Sequence, residues 1–155
     1  NGMVFAASSY DTRSLLAIRL EGAKGNITNT KNVVWTTTQR TPYVPSPLLY
    51  KGSLYYLRHY QNILTRIEAE TGIEKHGPFR LDGIGNVYAS PVAAAGRVYI
   101  ADLRGSTLVL SHDGEPRPLA VNRLPDSFSA SPALVGNEIY LRGQRRLYCI
   151  AKDVK

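Results

Sequence analysis

The segment Ser46-Pro47-Leu48-Leu49-Tyr50-Lys51-Gly52-Ser53-Leu54-Tyr55-Tyr56 is followed by two echoes of itself. Ser90-Pro91 opens the second and Ser131-Pro132 the third, at intervals of 44 and 41 residues. Six residues after each Ser stands Gly52, Gly96 or Asn137, the residue types that accept a left-handed turn most readily. Eight to ten residues after it come Leu54-Tyr55-Tyr56, Val98-Tyr99-Ile100 and Ile139-Tyr140-Leu141, branched and aromatic strand formers. The physical sense is a hairpin. Pro sits at the first residue of a strand, where its missing N–H does least harm, and a tight Gly or Asn turn reverses the chain.

Working outward, Gly2-Met3-Val4-Phe5-Ala6 matches Gly52 through Tyr56, so the chain opens inside a copy of the repeat. A third strand is expected from Leu15, Leu64, Leu108 and Leu147, each after a turn-rich loop such as Ser8-Ser9, Gln61-Asn62, Arg104-Gly105 or Arg142-Gly143. Fourth strands are expected at Val33-Val34-Trp35-Thr36, around Pro78-Phe79-Arg80-Leu81 and near Pro118-Leu119-Ala120-Val121. A period in the low forties also suits helical HEAT or armadillo repeats. Five- to seven-residue segments rich in Val, Ile, Leu, Tyr and Thr, punctuated by Gly, Pro and Asn, leave no room for two long helices per copy. The expectation is all-β, with three strands in each end copy and four in each middle copy.

These residues resemble the PQQ-like, quinoprotein-type β-propeller repeat. The second copy carries the likeness best, through Ser46-Pro47 to Tyr55 and then Leu64-Thr65-Arg66-Ile67-Glu68-Ala69-Glu70-Thr71-Gly72. Leu15-Leu16-Ala17-Ile18 and Val34-Trp35 match the same elements in the first copy. The resemblance implies one partial β-propeller domain over 1–155, with blades at about 1–45, 46–89, 90–130 and 131–155, the first and last incomplete. The docking Trp of the family survives only as Trp35, with Phe79 near the equivalent place in the next copy. Because a repeat array cannot bury its terminal faces alone, the chain is expected to be the C-terminal part of a longer propeller or to self-associate, two copies making an eight-bladed ring.

Function follows from the resemblance only in outline, since one fold serves many roles. The family includes cofactor-bearing dehydrogenases, outer-membrane assembly lipoproteins and secreted propellers. An adjacent Cys pair and a calcium-ligating carboxylate cluster, which true quinoproteins share, are missing from the sequence. The expectation is therefore a non-enzymatic scaffold, without a cofactor or metal, that binds a protein, peptide or glycan in the bacterial periplasm or outside the cell. The alternatives are a fragment of a PQQ-dependent oxidoreductase and an accessory domain of a larger multidomain enzyme.

The candidate ligand residues lie just before each Ser-Pro, where the chain enters the innermost strand beside the mouth of a propeller's channel. Tyr43, Tyr88 and Phe128 recur there, with Arg40, Asn86 and Arg123 nearby. Loops between second and third strands reach the same face and bring Asp102, Arg104 and Arg142. The aromatics have two readings, a ligand platform and packing between blades, and the second is the commoner in propellers.

Other signals are weak. The net charge of +7 is spread along the chain, and no zinc-finger, helix-turn-helix or RNP-type pattern accompanies it, so no nucleic-acid partner is expected. His59, His76 and His112 lack metal-site spacing and read as solvated loop residues. Asp102-Leu103-Arg104-Gly105 and His112-Asp113-Gly114 read as turns. The one cysteine, Cys149, reads as a small buried hydrophobe. No apolar run is long enough to span a bilayer.

Overall fold

The structure, a computed structural model, describes residues 2–9, 11–58 and 62–152. Among them are fourteen β-strands: β1 (Met3–Ser8), β2 (Ser14–Arg19), β3 (Val33–Thr37), β4 (Leu48–Tyr50), β5 (Ser53–Leu57), β6 (Ile63–Glu68), β7 (His76–Arg80), β8 (Val92–Ala94), β9 (Arg97–Ala101), β10 (Ser106–Ser111), β11 (Pro118–Arg123), β12 (Ala133–Val135), β13 (Glu138–Arg142) and β14 (Leu147–Ala151). They form four antiparallel meanders, β1-β2-β3, β4-β5-β6-β7, β8-β9-β10-β11 and β12-β13-β14. This is a partial β-propeller whose four blades do not close into a ring, as the repeat predicted.

The repeat is visible in the turns. Lys51 and Gly52 both have positive φ, as do Ala95 and Gly96, which a two-residue I′ hairpin requires. In the last blade Gly136 takes the left-handed position at φ 56°, so the turn residue is Gly136 and not the expected Asn137. The first copy is in register as well: Gly2 O accepts Leu20 N–H, as Gly52 O accepts Ala69 N–H and Gly96 O accepts His112 N–H.

The core lies between blades, because strand alternation sends successive side chains to opposite neighbours. Each blade has a leading face toward the blade before it and a trailing face toward the blade after. Leu54, Tyr56 and Ile67 lead, packing with Leu15, Phe5 and Trp35 of the first blade. Tyr55, Leu57 and Leu64 trail, packing with Val98, Ile100, Leu108 and Leu110 of the third. Ala101 and Phe128 meet Leu141 and Tyr148 at the third junction. Covered on both faces, β5 and β10 are buried throughout.

Polar groups join the blades at repeated positions. Ser46 N–H donates to Ser90 Oγ at 2.9 Å, and Ser90 N–H donates to Ser131 Oγ at 3.0 Å. The Ser of each Ser-Pro is thus a staple between innermost strands. Trp35 donates from Nε1 to Ala69 O at 3.0 Å and lies over Gly72, where an added Cβ would sit 2.9 Å from the indole. The Ala-x-Thr-Gly turn of one blade therefore receives the Trp of the blade before it. At the next junction the equivalent carbonyl, His112 O, accepts instead from Arg66 at 3.0 Å, and the same guanidinium reaches Gly114 O. Arg66 thus docks a junction that the single Trp of the chain, Trp35, does not reach.

Candidate functional site

The connections into β4 and β8 meet Arg58, just after β5, and Asn62, just before β6, on one face of the propeller, opposite the hairpin turns. Together they surround a recess with a cavity volume of about 60 Å³, lined by Tyr43, Val44, Pro45, Leu57, Arg58, Asn62, Asn86, Val87 and Tyr88. Three of the nine expected ligand residues, Tyr43, Asn86 and Tyr88, are therefore brought together. Arg104 borders them: its guanidinium carbon is 3.8 Å from where a Cβ on Gly85 would stand, and Asn62 Nδ2 is 3.6 Å from the same point. Asn62 is fixed there by donating to Ile84 O at 2.9 Å.

Arg58 lines the recess and was missed in the sequence. Its Nε donates to Thr65 Oγ1 at 2.6 Å and its Nη2 pairs with Glu74 at 3.1 Å. The exposed Arg40 pairs with the same carboxylate at 3.1 Å, so it joins the site only through Glu74. Arg123 ends β11, the outermost strand of its blade, and Arg142 ends β13 in the last blade; both are exposed and neither lines the recess.

The aromatics divide by register. Phe128 stands three residues before its Ser, as Tyr43 does, whereas Tyr88 stands two before. In an extended segment that single step reverses the direction of the side chain. Phe128 is fully buried in the third junction, edge-on to Tyr148 with ring centroids 5.9 Å apart, so it is core and not a channel-mouth contact. Tyr43 is half-buried, and Val87 takes the equivalent inward place in the second connection. Tyr88, pushed one residue out of step, is 49% exposed.

Asp102 is likewise structural, being 1% exposed. Its carboxylate accepts the amides of Gly85, Arg104 and Ser106 at 2.9, 2.9 and 2.8 Å, which consumes it in closing its own turn and tying it to the incoming connection. One blade later the roles are exchanged. Asp126 lies in the connection and accepts from Arg145 N–H and Arg146 N–H of the β13–β14 loop, while Gly143 faces it so closely that a Cβ would come within 2.4 Å of the carboxylate. Burial alone would raise the Asp126 pKa, but hydrogen bonds from Ser127, Arg145, Arg146 and Tyr148 hold it below the ordinary carboxylate value.

Two further expectations are corrected. His112 is buried between the second and third blades, not solvated: its Nδ1 lies 2.8 Å from Tyr55 Oη and its ring stands edge-on to Tyr50 at 5.0 Å. Burial first, then the nearby Arg66 and Lys51 charges, lower its pKa, with Asp113 opposing. The lowered pKa favours the neutral imidazole, whose Nδ1 shares a hydrogen bond with the Tyr55 phenol. His76 is an exposed residue of β7, and His59 lies outside the described residues. Cys149 is exposed, because alternation along β14 turns it to the uncovered trailing face of the last blade. Among the described residues no group of three or more His, Cys, Asp or Glu side chains converges as a metal site would, and no helix is long and apolar enough to cross a membrane.

Fold and recess together define a β-propeller segment with a small polar and aromatic hollow on its mouth face. Among solved structures, the chain is similar to BamB from Moraxella catarrhalis, with a TM-score of 0.70 and 14% identity over 97% of this chain. The match spans 43% of that protein's chain, and at this identity the likeness is one of fold. No family model and no curated protein matches the chain.

Proposed function

We propose that this chain is a PQQ-like propeller segment acting as a non-enzymatic protein-binding scaffold, which takes an extended peptide across the mouth face with one apolar or aromatic side chain anchored in the recess. The exposed Tyr88 carries this reading. Of the aromatics in register with the repeat, Phe128 turns into the core and Tyr43 is half-buried in the recess wall, while Tyr88 is out of register and presents a large amphipathic surface beside the hollow. Size supports a side-chain anchor over a cofactor: about 60 Å³ is well below the roughly 300–1,000 Å³ of small-molecule sites. Arg104 and Arg142, exposed on the same face, and a net charge of +7 favour acidic residues flanking the anchor. The resemblance of the repeat to exported bacterial propellers supports a periplasmic or extracellular location.

Selection of a random 12-residue peptide phage library on the purified chain tests the proposal. Enriched peptides are expected to carry an aromatic or large apolar residue among acidic ones, and to lose at least about tenfold in affinity on Tyr88→Ala, as an aromatic anchor should. Peptides indifferent to both Tyr88→Ala and Asn86→Ala would refute the site. The non-enzymatic part has its own check: PQQ added with calcium is expected to give neither a spectral shift nor thermal stabilisation.

A further inference from the structure

On the hairpin-turn face, away from the mouth recess, the second and third blades frame a cleft with a volume of about 300 Å³. Each of these blades has a neighbour on both sides, and the cleft shares no residue with the recess. Lys51 and Ser53 line it from the β4–β5 hairpin, Arg66 from β6 and Gly114 from the turn after β10, while Glu68, Lys75 and His76 complete its wall. Two of its cations have no counter-charge. Lys75 pairs with Glu68 at 2.8 Å, but among the described residues neither Lys51 nor Arg66 pairs with a carboxylate. Arg66 donates from Nε to Ser53 Oγ at 3.0 Å and from Nη1 to His112 O and Gly114 O, all uncharged acceptors. Asp113, in the same turn as Gly114, is directed at Gly96, 3.8 Å from where a Cβ there would stand. A half-buried cation satisfied in hydrogen bonds but not in charge draws an anion more strongly than one in open water. The two charges are also held in place by rings: Arg66 Cζ lies 5.6 Å from the centroid of Tyr55, and Lys51 Nζ lies 5.7 Å from that of Tyr50. His112 joins both rings, edge-on to Tyr50 and within hydrogen-bond distance of the Tyr55 hydroxyl. The blade plan itself does not call for these charges. Ala17 and Val109 stand opposite Phe5 and Tyr99 as Arg66 stands opposite Tyr55, and Ala95 holds the place of Lys51 in the next hairpin.

We propose that this cleft binds a phosphate monoester carried on a hydroxyl-rich body such as a sugar, with the phosphate between Lys51 and Arg66. A phosphate monoester carries about −1.5 to −2 charges at neutral pH, which matches two uncompensated cations, whereas a carboxylate would match one. Guanidinium and ammonium groups are the side chains that phosphate oxygens pair with most strongly. The volume, at the lower end of the roughly 300–1,000 Å³ of small-molecule sites, holds more than the bare anion. Glu68 accepts from hydroxyl groups and Lys75 donates to them, so the rest of the wall suits a polyol better than an apolar body. Soluble sugar phosphates and phosphorylated inositol headgroups of lipids share this chemistry.

Isothermal titration calorimetry of the whole chain with glucose 6-phosphate is expected to give a Kd below about 1 mM, with inorganic phosphate and glucuronate each at least about tenfold weaker and glucose silent. Because Arg66 also joins the blades, Lys51 is the residue to vary. Lys51→Asn removes the charge with a residue type suited to φ 46°, and affinity is expected to fall at least about fivefold. Lys51→Arg should retain binding, and Arg97→Gln, an equal loss of charge one junction on, should leave it unchanged. Flotation with phosphatidylcholine vesicles containing a phosphatidylinositol phosphate separates the two sources: capture that is lost in Lys51→Asn, with glucose 6-phosphate silent in solution, would assign the phosphate to a lipid headgroup. Inorganic phosphate binding as tightly as glucose 6-phosphate, an affinity indifferent to Lys51→Asn, or silence in both arms would overturn the proposal. No peptide enters these titrations, so their outcome is separate from that of the mouth-face site.

Discussion

At the scale of single residues, close backbone approach and buried charge decide most. Gly105 has φ 83° and would place a Cβ 2.2 Å from Leu124 O and 2.5 Å from Asp126 O, so the incoming connection leaves no room for a side chain. Gly105→Ala is expected to cost about 1–3 kcal/mol in urea unfolding. Gly114→Ala, at φ 65° but in open space, should cost only about 1 kcal/mol. His112 gives a pH dependence whose sign follows from its lowered pKa. The folded protein prefers the neutral imidazole, so this contribution is complete above the unfolded value of about 6.5 and is lost as pH falls below it. Thermal midpoints should fall from pH 7.5 to pH 5 more in the wild type than in His112→Gln, whose amide offers both a donor and an acceptor to the Tyr55 phenol. Equal slopes would show that another group sets the acid response.

At the scale of elements, the docking of one blade on the next uses two side chains for one task. Trp35→Phe removes a single neutral hydrogen bond to Ala69 O, and a loss of about 1 kcal/mol is expected. Arg66→Met removes a charged donor from His112 O and Gly114 O and should cost more, about 1.5–3 kcal/mol. If Arg66→Met proved the milder change in denaturant titrations, the guanidinium would not be the docking group. The same scale shows what could be read from sequence. Strands and hairpins were legible because their signals are local: Pro47, Gly52 and Tyr55 announce a hairpin without reference to anything distant. Burial was less so. Cys149 sits in a strand as apolar as β10, yet it is exposed because no blade covers its side of β14. His112 follows a strand and precedes Asp-Gly, a turn in every local respect, and is buried by Tyr50, Tyr55 and Arg66 of another blade. Phe128 and Tyr88 look alike in sequence, and the one-residue difference in their distance from the Ser-Pro is the signal that would have separated core from surface. Arg58 carried no such signal, since its place beside the recess depends on Thr65 and Glu74.

For the whole molecule, a linear array of blades implies stability graded along its length. Amides of β5 and β10, whose strands are buried on both faces, should exchange most slowly with deuterium, and those of β1 and β14 most quickly. Uniform protection across all four blades in hydrogen-exchange mass spectrometry would contradict a graded array.

The exchanged roles of Asp102 and Asp126 bear on how such a chain can be rearranged. At one junction the connection contributes Gly85 and the blade contributes the acid; at the next the connection contributes Asp126 and the blade contributes Gly143. The two junctions are keyed with opposite polarity. A recombinant chain with its third and fourth blades transposed behind the original connections would set Asp126 against Asp102 and leave Gly85 facing Gly143, crowding two carboxylates at one seam and stranding amides at the other. Blades built on one backbone plan are therefore not interchangeable parts, and their order is written into the chemistry of the seams.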